Sequence, residues 1–262
     1  MLTFVIPVKS KSVASNWTKF CRLFESTLRS ICNQTDSDFR VVVVCHEIPE
    51  INFTHPHVHY IHPDFDPPIK KGVSKKALLF KQRIDKGDKI KLGVSYATEH
   101  FNTDFVMPVD SDDLISNKIA AYVNQTNKEP HGWYVRRGYL NFNWKNALVT
   151  TKKFSYLCGS SLIVKPDLIK YFFDEGKIDL YFNHQLTTLN SSIELTEFPF
   201  SAGIYNIGNG ENIWMSFTKV KTLNNHGNWI SPKNLKRLYT KIKNYRFRII
   251  TRGLRKEFNF YN

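Results

Sequence analysis

The sequence predicts an α/β protein built on a parallel sheet. Three observations carry that prediction. Leu2-Thr-Phe-Val-Ile-Pro-Val8 is a β-rich apolar opening. Behind it Trp17, Phe20, Leu23, Phe24, Leu28 and Ile31 recur at three- and four-residue spacing, the repeat of one helix face. Then Arg40-Val-Val-Val-Val-Cys45 follows as a continuous apolar run, which suits a parallel strand covered on both faces. Strand, helix and strand in that order form a βαβ unit.

Each element has a local reason. Pro7 belongs at the end of the first strand, where its missing N–H does least harm, and Ser15 is the predicted N-cap of the first helix. Residues 46–72 are rich in Pro and His and read as loop, with a short strand at Val58–Ile61. A helix is expected over Leu92–His100, followed by the strand Phe105–Val109. Beyond Ser116 the sequence predicts a helix near Lys118–Asn127, aromatic-rich strands over 132–144 and a glycine turn at Cys158-Gly159-Ser160-Ser161. Helices are expected at Pro166–Phe173 and His184–Ser191, then strand and loop over 198–217. In the tail, Ser231 and Pro232 are a helix start. Leu235, Leu238, Tyr239, Ile242, Tyr245 and Ile249 fall on one face, lysines and arginines fill the rest, and Gly253 is the expected stop.

A chain of 262 residues, 42% hydrophobic, suffices for one core. No stretch approaches the roughly 20 apolar residues of a membrane span, and the N-terminus reads as a strand, not a signal peptide. Cys21, Cys32, Cys45 and Cys158 form no CxxC or zinc-finger spacing and read as reduced thiols of a cytoplasmic protein. The net charge is +14, yet from Lys219 onward there are twelve Lys or Arg and one acid, Glu257. The tail therefore holds +11 and residues 1–218 only +3. The division is a body over 1–218 and a basic amphipathic extension over 219–262.

Chemistry concentrates at Asp110-Ser111-Asp112-Asp113, directly after an apolar strand. Ligands of open parallel sheets bind beyond the carboxyl ends of the strands. Clustered carboxylates repel one another unless a cation is present, and hard oxygens suit Mn²⁺ or Mg²⁺. Such a metal can hold a diphosphate and stabilise it as a leaving group. The plain alternative is a polar turn with Asp113 capping a helix.

The Val5-Ile-Pro-Val8 strand end, the amphipathic helix, the valine-rich second strand and the Val109-Asp-Ser-Asp-Asp113 cluster together resemble the GT-A glycosyltransferases, specifically the family 2-like group. The resemblance covers residues 1–115 well and 154–190 weakly. It implies a Rossmann-like, mostly parallel central sheet flanked by helices, here carrying the basic helical extension. It further implies a hexosyltransferase using a nucleotide-diphosphate sugar, a UDP-sugar favoured, with inversion at the anomeric carbon. Pro7 and Val8 match the nucleoside-binding strand end. Glu47 is the carboxylate nearest the end of the second strand, where the family has an acid. Asp110 would contact ribose or metal, with Asp112 the leading metal ligand and Asp113 an alternative. Any of Lys86, Lys89 and Lys91 could meet the diphosphate, or they are solvated surface. Gly159 matches a glycine loop that lies against donor or acceptor, or it is an ordinary turn.

The family's carboxylate base is replaced at the matching position by His184, with Asp179 and Glu175 just upstream as alternatives. His226 is the candidate for a late metal-binding histidine, and Glu211 for a loop contact to acceptor or metal. Trp133, Tyr134, Tyr139, Phe142 and Trp144 read as core strand pairs more than as a sugar-stacking wall. The expected acceptor is a glycan or lipid-linked glycan. The tail's apolar and basic faces fit the inner, anionic surface of a membrane better than nucleic acid, so no nucleic-acid partner is expected. A phosphatase would place its acidic strand first, and a nucleotidyltransferase would want a glycine-rich, basic loop right after the first strand, where Pro7-Val-Lys-Ser-Lys-Ser12 is basic but lacks glycine. A non-catalytic homologue is the remaining alternative.

Overall fold

The computed structural model describes residues 1–126, 131–143, 146–173, 182–189, 192–207, 209 and 244–260. The first unit is β1 (Leu2–Pro7), α1 (Trp17–Ile31) and β2 (Phe39–Val44), followed by β3 (Val58–Ile61), α2 (Lys75–His100) and β4 (Phe105–Pro108). These four strands are mutually parallel in the order β4-β1-β2-β3. Phe4 and Ile6 of β1 and Val41 and Val43 of β2 pack with Phe20, Phe24 and Leu28 of α1. Val5 faces the other way, with Ile90 and Val94 of α2, and Val42 and Val44 meet Ala97. The unbroken valine run therefore reflects a sheet covered on both faces.

Beyond β4 the sheet becomes mixed. β5 (Leu114–Ile115) and α3 (Ile119–Gln125) lead to β6 (Gly132–Tyr134), β7 (Gly138–Asn141), β8 (Ala147–Thr151), α4 (Phe154–Leu157) and β9 (Leu162–Val164). β9 runs antiparallel between β4 and β6. After a 3-10 helix over Pro166–Phe172 come β10 (Thr188–Leu189), β11 (Ile193–Glu194), β12 (Thr196–Glu197) and β13 (Gly203–Asn206). β12 completes the main sheet beside β6. A second sheet holds β7, β8, β13 and β5 together with β14 (Tyr245–Ile249), which pairs antiparallel with β8. Trp133 is fully buried in a cage of Phe105, Tyr122 and Phe198, so the aromatic segment includes core, as expected. Trp144 lies outside the described residues.

Four expectations are corrected. Asn16, not Ser15, caps α1, its side chain accepting from the Lys19 N–H at 2.9 Å. α2 begins at Lys75, far ahead of Leu92, capped by Ser74 accepting from the Ala77 N–H at 3.2 Å. Six of its first thirteen residues are charged, which masks the helical repeat. Residues 188–189 form a strand paired with β11 instead of a helix. In the tail, Tyr245–Ile249 is a strand because β8 offers a five-residue antiparallel partner. A helix, α5 (Arg252–Phe258), follows with Gly253 inside it. Leu254 and Phe258 are buried with Leu114, Leu148 and Ile204, and Glu257 accepts from Ser116 Oγ at 2.7 Å and pairs with Lys118 at 2.8 Å. This end of the extension is thus part of the body's packing. The boundary at 218 and the predicted helix start at Ser231 lie outside the described residues. Among the described residues no helix is long and apolar enough to cross a membrane.

Candidate functional site

The ends of β2, β1 and β4 lie side by side in that order, and beyond them the chain places His46, Val8 and Asp110. The acidic turn follows β4 directly. The Asp113 N–H closes the turn on the Asp110 carbonyl at 3.1 Å. The carboxylates then diverge. Asp110 forms an ion pair with Lys86 of α2. Asp112 accepts from Asn209 Nδ2 at 2.6 Å, while its carbonyl accepts from Asn206 Nδ2 at 2.6 Å. Asp113 is fully buried and accepts from Ser160 Oγ at 2.7 Å and Cys158 Sγ at 3.0 Å. Its Oδ1 has no hydrogen-bond partner among the described residues.

Electrostatics follow from this packing. Burial, then Asp112 and Asp110, push the Asp113 carboxyl well above the usual range. Burial and the neighbouring Asp110 also raise Asp112, while the Asn209 amide opposes the shift. Burial beside Asp113 pushes up the Cys158 thiol.

The glycine loop sits against the acidic turn. Ser160 Oγ accepts from the Asp110 N–H at 2.8 Å and itself donates to Asp113, so one hydroxyl joins loop and turn. A Cβ at Gly159 would come to 2.8 Å from Asp110 Oδ2 and 3.0 Å from Lys86 Nζ. A side chain there would have to displace the tips of that charged pair.

His184 is mostly buried beside this loop. Its Nδ1 lies 2.7 Å from the Ser155 carbonyl, which can only accept. Nδ1 therefore carries the proton, and Nε2 keeps its lone pair in the neutral ring. Burial and then Lys86 lower its pKa, with Asp110 opposing. Lys86, Asp110 and Gly159, distant in sequence, meet in the fold, and His184 lies near enough to feel the charges of Lys86 and Asp110.

The other candidates fall elsewhere. Lys89 is 0% exposed, with Nζ 2.8 Å from Asp85 Oδ2 and 2.8 Å from the Val8 carbonyl. Lys91 lies 4.0 Å from Asp88 and 4.6 Å above the Phe173 ring. Of the three lysines, Lys86 is the one at the acidic turn. Glu47 accepts from Ser10 Oγ and the Lys11 N–H, both at 3.0 Å, and so ties the loop after β1 to the end of β2. Pro7 and Val8 are buried at the end of β1. Glu175, Asp179, Glu211 and His226 lie outside the described residues.

Residues missed in the sequence include Asp85, Ser160, Asn206 and Asn209. Asp85 had a readable signal, because it stands four residues before Lys89 on the same helix face. Ser160 had none, since its role depends on two segments distant in sequence.

Asp110 and Asp112 carry hard oxygen donors of the type divalent cations take, and here those oxygens meet Lys86 and Asn209. Mg²⁺ commonly takes one or two carboxylates and fills its shell with water and substrate phosphate. No group of three His, Cys, Asp or Glu side chains suited to a metal occurs among the described residues. Asp113 is committed inward to Cys158 and Ser160.

No family model matches the chain, and no curated protein does. Among solved structures, S. aureus TarS 1–349 overlaps 78% of this chain and 60% of its own, at 12% identity and a TM-score of 0.45. Its complex with UDP-GlcNAc overlaps 82% and 61%, again at 12% identity and 0.45. The complex with UDP overlaps 79% and 60% at 12% identity, with a TM-score of 0.43. This chain thus spans about 60% of the length of those structures. At that identity and score, the chemistry has to be read from this chain's own residues.

Proposed function

We propose that the protein is a glycosyltransferase that moves a hexosyl group from a nucleotide-diphosphate sugar, with UDP-sugars the first donors to test, to a hydroxyl of a glycan or lipid-linked glycan. The observation that carries this reading is the convergence of Lys86, Asp110, Gly159 and His184 beyond the carboxyl ends of parallel strands. It adds to the sequence resemblance a cation and a carboxylate paired against a glycine, with a base nearby.

Each residue then has a task. Lys86 meets the diphosphate and opposes the charge that grows on it as the glycosidic bond breaks. Asp110 and Asp112 would hold Mn²⁺ or Mg²⁺, which would supply Lewis-acid stabilisation of the leaving diphosphate. Gly159 lets donor or acceptor lie against the backbone. His184 Nε2 takes the acceptor hydroxyl proton as that oxygen bonds to the anomeric carbon and the nucleoside diphosphate departs. Attack opposite the leaving group inverts the anomeric configuration.

The testing experiment is a thermal-shift screen of UDP, GDP, CDP and dTDP with and without Mn²⁺, followed by donor turnover. A ligand that binds the folded state alone raises the midpoint. A metal-dependent rise with one nucleotide names the base. If none moves the midpoint, the transferase reading fails.

A peripheral membrane site at the inner leaflet is a second element of the proposal. Phe247 and Ile249 on β14 are 77% and 74% exposed and alternate with exposed Arg246 and Arg248. In a strand this alternation puts Phe247 and Ile249 on one face and the two arginines on the other, and an exposed apolar face backed by basic residues suits an anionic bilayer surface. Sedimentation with anionic but not neutral liposomes checks this, and equal recovery with both would refute it.

A further inference from the structure

One turn of α2 touches three neighbouring strand ends. Asp85 Oδ1 lies 3.0 Å from His46 Nε2, at the end of β2. Lys89 Nζ reaches the Val8 carbonyl, at the end of β1. Lys86 pairs with Asp110, at the end of β4. Asp85 and Lys89 are also bonded to each other. The helix lies close enough that a Cβ at Gly93 would come within 2.4 Å of Val5 Cγ1 and 3.0 Å of Val44 Cγ2.

A fully buried lysine is expensive to desolvate, and an apolar side chain of similar volume packs at least as well. Stability alone is therefore a poor reason for Asp85 and Lys89. What an apolar pair could not do is end on two directed hydrogen bonds, to Val8 and His46. Those bonds fix how far α2 is rolled about its own axis. Lys86 and Lys89 are three residues apart on one face, so the roll set by Lys89 also sets where Lys86 points.

Resting on the proposed donor site, we infer that Asp85 and Lys89 are positioning residues for it. They do not touch the donor. They lock α2 to the ends of β1 and β2, and thereby hold Lys86 over Asp110.

The test is a double-mutant cycle on binding of whichever nucleoside diphosphate the wild type takes from UDP, GDP, CDP and dTDP, with Mn²⁺. Lys86→Gln should weaken binding about tenfold, the scale of one charge-assisted hydrogen bond. Lys89→Met should weaken it by a similar factor, and the double variant should be no weaker than Lys86→Gln alone. Losses that multiply would show Lys89 acting independently, and the inference would fall. Because Lys89→Met strands a buried carboxylate, Asp85→Leu/Lys89→Met is run beside it as an apolar pair that keeps the packing.

A ligand-free readout separates this inference from the donor reading. In protein labelled with [ε-¹³C]lysine, the Lys86 signal is assigned as the one lost in Lys86→Gln. It should move in Asp85→Leu/Lys89→Met in the same direction as in Asp110→Asn. An unmoved signal overturns the positioning role whatever the nucleotides do. A wild type that binds no nucleotide sinks the donor reading and leaves the NMR arm to decide this one.

Discussion

Ser160 Oγ lies 2.7 Å from Asp113 Oδ2 and 2.8 Å from the Asp110 amide nitrogen, so a single hydroxyl ties the glycine loop to the acidic turn. Ser160→Ala removes a donor from a buried carboxylate and an acceptor from a backbone N–H. A buried group left unsatisfied costs about 1–3 kcal/mol. The expected result is a loss of that size in urea unfolding, together with reduced turnover. An unchanged unfolding midpoint would mean that the clamp is immaterial.

Asp112 and Asp113 should separate cleanly. Asp112→Ala is expected to abolish transfer and to cost less stability than Asp113→Ala, because Asp112 is part-exposed and its carboxylate takes a single bond, from Asn209. Asp113→Ala is expected to cost stability, because it leaves Cys158 and Ser160 without their acceptor inside the core. Turnover and melting of the two variants, measured together, check the contrast. Full activity in Asp112→Ala would remove it from the metal and donor site.

The acid limb of the rate profile belongs to His184 under this mechanism. Its pKa is lowered from the ordinary 6.5, so the ring stays neutral and able to accept a proton at and somewhat below that pH. Donor transfer should therefore hold on the acid side to below pH 6.5 and fall as Nε2 is protonated. His184→Gln should lower kcat by about 10²–10⁴ and abolish that limb. A limb that persists in the variant would assign the base elsewhere.

Acid stability depends on a histidine cluster before and within β3. His55, His57 and His59 have pKa values lowered first by burial, with Arg40 adding to the shift at His57 and His59. Histidines held neutral in the fold but free to charge when unfolded stabilise above the unfolded pKa of 6.5 and lose that contribution as pH falls through the lower folded values. The melting midpoint should be flat from pH 8 to 7 and drop below pH 6.5. His57→Gln should shallow the drop, and an identical pH profile in that variant would contradict this account.

Two glycines predict opposite phenotypes. At Gly132, with φ +122°, a Cβ would meet the Ile163 carbonyl at 2.1 Å, which is backbone and cannot yield. Gly132→Ala should destabilise by about 1–3 kcal/mol or more. At Gly159 the obstructing atoms are the tips of Asp110 and Lys86, which can move. Gly159→Ala should melt near the wild-type temperature and lose donor affinity. Equal melting of the two variants would refute the distinction.

The sequence by itself determined the βαβ opening, the strand-end position of Asp110 and the individual candidacy of Lys86, Gly159 and His184. These are legible because periodicity, turn chemistry and the step from apolar strand to acid are local. Only the tertiary structure decided which lysine serves the site. Lys86, Lys89 and Lys91 look alike in a row, but one meets Asp110, one is buried on Val8 and one lies over Phe173. The same holds at the C-terminus, where Tyr245–Ile249 carries a helical repeat of apolar residues yet forms a strand. There the free backbone edge of β8 supplies five residues of pairing. Long-range pairing of backbone, and the desolvation of one ammonium among three, depend on neighbours that no local pattern specifies.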